Sequence, residues 1–359
     1  MISDLLTGLP PQKMESELHT HWGRTIDQYT ESYGLNDAMK RISLVEDIQR
    51  PAQAAIERIG QVWSKKSDHG VNLSDLQAVL AFSQSAGAYP SFASPSLISG
   101  CIYLMAEIKV SGKSTPFSYE YGYLCFRIMS VALGMCLLDR SGTMESAIET
   151  MTDNQHIALI QTLARLVDGV VEDAVRHAAG PHKQAYNCIL GWTHCPEHPK
   201  REKMISRADA ATLFGVLWDD RESFLKVMAA TVPPVLSSVI YLLWRYVIYE
   251  RYLQVQHSPE SGPPISGNVF MQIFWRAYLT IAPDQNRTFN LISTYENYGL
   301  GFRSQYRDAS GHTTLEDTKQ MMRAYTNQVL RGSALTSRSL AQALSIIYLH
   351  LVSVGPDYE

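Results

Sequence analysis

Three features of the sequence predict an all-α fold: repeated helix-start chemistry, apolar residues recurring at the helical period, and the absence of alternating strand patterns. The starts are short polar side chains placed to accept the free amides of a first turn. Ser74-x-x-Gln77, Thr152-x-x-Gln155, Ser206-x-x-Asp209, Asp219-x-x-Glu222 and Thr313-x-x-Glu316 carry the residue types of a capping box. Ser94-Pro95 and Thr115-Pro116 add a cap followed by proline at the first helical position, where a missing donor is harmless. Behind these starts the apolar residues fall into stripes. Leu159, Leu163, Leu166 and Val170 make one, widened by Ile160, Val167 and Val171. No Asn-Gly or Asp-Gly turn joins two β-branched runs, and Asp168-Gly169 lies inside that helical stripe.

Taken in order, the pattern gives helices over 11–33, 35–48, 51–65, 74–86, 95–109, 116–138, 143–151, 153–178, 207–218, 220–231, 234–256, 268–281, 286–299, 314–330 and 337–353. Two segments interrupt it: Gly180–Arg207, mixing glycine, proline, histidine and a Lys200-Arg201-Glu202-Lys203 patch, and the Ser/Pro/Gly loop His257–Gly267. The expected organisation is an N-terminal helical lobe over 1–180, a connector over 181–207 and a C-terminal lobe over 208–359, or one continuous domain. Successive short helices suggest antiparallel hairpins stacked as an α-α superhelix, or an irregular helical bundle; no fixed repeat length aligns.

Composition narrows the function classes. Hydrophobic residues make up 45% of the 359 and charged ones 18%, enough apolar side chain to order a sizeable core. A formal net charge of -4 with interspersed signs gives no positive field for nucleic acid. The N-terminal residues have no basic stretch before an apolar run, so a secretory signal is not expected and the chain is assigned to the cytoplasm, with the nucleus open. Five cysteines, Cys101, Cys125, Cys136, Cys188 and Cys195, read as reduced thiols. Val227–Trp244 is uncharged and approaches the length of a bilayer span, but Pro233-Pro234 divides it and Arg245 follows. Two soluble helices meeting at the prolines, the second buried on most sides, are expected there, and no transmembrane segment.

Four constellations bear on chemistry. Ser111-Gly112-Lys113-Ser114-Thr115 resembles the end of a phosphate-binding loop, but Glu107 stands where that loop needs a glycine, and a helical pattern precedes it. Asp219, Asp220 and Glu222, with Glu296 on a later helix, have the carboxylate chemistry that holds magnesium, the basis of an alternative reading as an all-helical metal-dependent enzyme. A capping box accounts for Asp219 and Glu222 without any metal. His182, Cys188, His194, Cys195 and His198 offer the thiolates and imidazoles of a small structural zinc site, an alternative to the leading expectation of no cofactor. Finally, Leu340, Leu344, Ile347 and Leu351 form a C-terminal stripe, while Ile346, Tyr348, Leu349 and Val352 spread apolar surface around much of the helix; burial between neighbouring helices is the leading expectation, and the alternative leaves Leu349 and Val352 exposed as a place for a partner or for self-association. Within the 234–256 helix, Arg245 sits among Leu242, Leu243, Trp244 and Tyr246, so a buried and partnered guanidinium is expected. The leading expectation is a helical protein–protein interaction or scaffold module without intrinsic chemistry.

Overall fold

The computed structural model describes residues 21–29, 38–62, 70–108, 116–153, 159–178, 189–192, 202–231, 235–256, 267–278 and 286–296. Their regular structure is helical: α1 (Ala38–Gly60), α2 (Leu73–Phe82), α3 (Pro95–Glu107), α4 (Glu120–Ser141), α5 (Met144–Asp153), α6 (Leu159–Ala178), α7 (Arg207–Asp219), α8 (Arg221–Ala230), α9 (Leu236–Gln256), α10 (Gly267–Tyr278) and α11 (Asn286–Tyr295). Tight 3-10 turns cover Ala86–Phe92 and Pro116–Ser118. Among the described residues there is no strand, only one isolated antiparallel bridge between Thr25 and Tyr119. The all-α class holds.

Several helix starts follow the predicted chemistry and others depart from it. Ser94 accepts the Leu97 amide at 3.4 Å with Pro95 opening α3, and Ser206 accepts the Asp209 amide at 3.0 Å ahead of α7. The start expected at Ser74 belongs to Asn72. The Asn72 side chain accepts the Asp75 amide, and the Asp75 carboxylate returns to the Asn72 amide, both at 3.0 Å. Asn72 holds the extended backbone a cap requires, which leaves Ser74 inside the first turn, donating to Asn72 Oδ1. Thr152 sits inside α5 and donates to the Ile148 carbonyl, and its expected partner Gln155 lies outside the described residues. Thr115 and Thr313 lie outside the described residues.

The break expected between 48 and 51 is also absent, since α1 runs through Pro51. Proline there forgoes one amide–carbonyl bond and crowds the preceding turn. Pro51 is exposed, while Ala52, Ala55, Ile56 and Ile59 are buried on the helix that packs against α2 and α3. Conversely, α4 begins later than predicted, because Pro116–Ser118 closes a 3-10 turn and Tyr119 is extended. Its far end is set by Gly142, in the left-handed region at φ 73°.

The chain divides into two compact units with interleaved segments. The first comprises Met1–Leu163 and Lys203–Ser223, the second Ala164–Glu202 and Phe224–Glu359. In the first, α4 is the axis: α2, α3 and α5 pack on it, α1 packs on α2 and α3, and α7 packs on α3. From Glu120 to Leu138 every residue of α4 is buried. This helix is long and apolar enough to cross a membrane, and its apolar window is entirely buried inside the protein. A helix covered on all sides needs close neighbours, and Gly122 supplies that room in α4, as Gly100 does where α3 meets α1. A Cβ on Gly122 would stand 1.7 Å from the Pro116 carbonyl oxygen, and one on Gly100 of α3 would stand 2.0 Å from that of Ile59 in α1.

In the second unit, α10 and α11 pack on α9. Phe270, Phe274, Tyr278 and Phe289 form an aromatic cluster between α10 and α11, with Phe274 and Phe289 centred 5.1 Å apart. The helices on either side of the Pro233-Pro234 pair end at Ala230 and restart at Leu236; the prolines themselves lie outside the described residues.

Candidate functional site

Carboxylates are the side chains most able to carry chemistry in this sequence, and the structure shows where the buried ones go. Asp220, between α7 and α8, is buried and accepts the Phe117 amide at 2.7 Å, fixing the 3-10 turn ahead of α4. Asp219 is the exposed last residue of α7, and Glu222 is exposed in the first turn of α8, 3.9 Å from Arg221. Helix α8 thus begins one residue later than expected, after Asp220 rather than Asp219. Glu296 belongs to the second unit, where it accepts from Trp244 Nε1 at 2.9 Å and from Arg251 at 3.0 Å, fastening the end of α11 to α9. Two of the four carboxylates of the acidic reading therefore serve as helix fastenings, Asp220 in one unit and Glu296 in the other. Among the described residues, no three His, Cys, Asp or Glu side chains gather as a metal site.

The zinc ligands proposed from sequence, His182, Cys188, His194, Cys195 and His198, lie outside the described residues, as do Leu349 and Val352. Cys101, Cys125 and Cys136 are free and buried; burial pushes all three thiols up, Cys136 to about 12, so they stay protonated and unreactive. Arg245 is buried as expected. Its guanidinium lies 5.5 Å from the centroid of the Trp244 ring, and burial lowers its pKa. Sequence reading missed two further arginines of this kind, Arg127 in α4 and Arg276 in α10, both buried. Burial brings Arg127 down to about 10.

Two polar constellations that sequence reading did not single out stand out among the described residues. In the second unit, Asp168 of α6 is fully buried and aims its carboxylate at the start of α11, accepting from the Arg287 amide at 3.2 Å and the Thr288 amide at 3.3 Å. The Thr288 hydroxyl returns to the Asp168 carbonyl. First-turn amides have no partner within their own helix, so a carboxylate from a neighbouring helix takes the place of a local cap. One turn on, Glu172 pairs with Arg176 and stands 3.7 Å from Arg287. Burial, the larger influence, raises Asp168 to about 6; the Thr288 and Arg287 bonds oppose it and the Glu172 charge adds to it. The available signal was a charged residue at a stripe position of an otherwise apolar helical face.

In the first unit, Glu120 opens α4 and is almost fully buried. Its carboxylate accepts from Gln77 Nε2 at 3.0 Å and from the Arg24 amide at 3.4 Å, with Arg24 Nε 3.8 Å away. Residues 21–29 cross this point. The Ile26 amide donates to the Ser118 carbonyl at 3.0 Å, and the Glu120 amide donates to the Arg24 carbonyl at 2.9 Å. Trp22 meets Tyr121 edge-on at 4.9 Å, and Tyr29 meets Tyr123 at 5.5 Å. Between them Gly23 takes φ 82°, a left-handed conformation that favours glycine, and a Cβ there would press at 2.8 Å on the side-chain ends of Glu120 and Leu73. Comparison of the chain with family models, with curated proteins and with solved structures gave no match.

Proposed function

We propose that this chain is a helical protein–protein interaction or scaffold module that works by binding other proteins, in the cytoplasm or nucleus, and carries out no chemistry of its own. The observation that supports it is the use made of the inward-facing carboxylates: buried Asp168 and Asp220 and half-buried Glu296 each accept from backbone amides or fixed side chains at a helix end. A catalytic acid or base needs its carboxylate turned toward a substrate. Here those oxygens join one element to the next, which is the construction of a rigid scaffold.

The test is purification of the full chain from its own cells at native abundance, with reciprocal tagging of any co-purifying protein and cross-linking to map the contact. A stoichiometric protein complex recovered from both ends is the expected result. Turnover of a small molecule by the purified chain, lost in the doubly substituted Asp219→Asn, Glu222→Gln variant, would overturn the reading in favour of the acidic enzyme. Elemental analysis of chelator-free protein decides separately whether His182, Cys188, His194, Cys195 and His198 hold zinc.

A further inference from the structure

We draw no further inference here: the strongest candidate, the aromatic cluster of the second unit in which Trp192 stands 6.5 Å from Tyr246 and 6.1 Å from Tyr249 of α9 with Trp192 and Tyr249 half-buried, carries none, because nothing among the described residues shows a space between the rings or what covers them.

Discussion

Helices α4 and α6 are close in length, 22 and 20 residues, and were built by opposite rules. In α6 burial follows a stripe: Ile160, Leu163, Ala164, Val167, Val171, Val175 and Ala178 are buried, while Gln161, Arg165, Asp173 and Arg176 are exposed. In α4 burial is continuous around the helix. A striped helix has one face whose register matters and another that tolerates change. A fully surrounded helix has no tolerant face, and its neighbours must be admitted at backbone distance. The same substitution should therefore act with opposite sign in the two places.

Gly122→Ala is the sharpest way to break that comparison. In a free helix alanine is favoured over glycine by about 1 kcal/mol. At 122 the new methyl would meet the Pro116 carbonyl oxygen at 1.7 Å, and that atom is backbone in a turn held by Asp220 through Phe117. The expected outcome is a loss of about 3 kcal/mol in chemical denaturation, the upper range for forced overpacking. A neutral result would show that the Pro116–Ser118 turn gives way freely.

The second test concerns Asp168, the one charged residue on the buried stripe of α6. Its carboxyl titrates at about 6 in the fold against 3.8 in the unfolded chain, so the folded state holds the proton more tightly. Stability from this group is fully present below the unfolded value and is lost as pH rises through about 6, amounting to about 3 kcal/mol. Asp168→Asn keeps one oxygen for the α11 amides and removes the titration. Measured from pH 4 to 7.5, the stability of the natural chain should decline relative to the Asn variant. A gap between the two that stays constant with pH would place the Asp168 titration elsewhere.

These two residues also mark what could be read from sequence. The class and most helices were legible because the stripe of α6 and caps such as Ser94 and Ser206 are local patterns. Even in α6 the centre of the stripe is displaced from the reading: Ile160, Val167 and Val171 are its core, and Leu159, Leu166 and Val170 are only half-buried. The depth of α4 was not legible, since an apolar helix looks the same whether one side or every side is covered. Nor was the role of Asp168, whose partners lie more than a hundred residues away at Arg287 and Thr288. Separations of 96 and 103 residues likewise hid Glu120 beneath Arg24 and Asp220 against Phe117. Asp219 drew attention because it is adjacent to Asp220 in sequence, while the fold exposes one and buries the other.

A third substitution returns to glycine, this time in the striped helix. A Cβ on Gly169 would meet nothing within 4 Å, and no left-handed backbone is required there. Gly169→Ala should stabilise the protein by about 0.5–1 kcal/mol, through helix propensity and a less disordered unfolded chain. A raised denaturation midpoint with an unchanged slope is the expected signature. Loss of stability would mean that α6 is as tightly enclosed as α4 at this point.

The smallest effect belongs to the outer face of α6, at Arg176. Its guanidinium pairs with Glu172 one turn earlier, with the acid on the N-terminal side, the favourable order for such a pair. Yet the Arg176 side chain is 59% exposed, so water competes for the charge. Its position in the last turn of α6 adds a weak attraction to the helix dipole. Alanine gives up both but is the better helix former, which offsets part of the loss. Arg176→Ala should cost about 0.3 kcal/mol, and added salt should shrink that further. Glu172 differs, because its side chain is only 15% exposed, reaches Arg287 as well, and raises the Asp168 carboxyl. Glu172→Gln should therefore shift the Asp168 transition to lower pH, while Arg176→Ala should leave its direction unchanged. A loss above about 1 kcal/mol at Arg176 would exceed a surface pair and make this residue part of the clamp that holds α11.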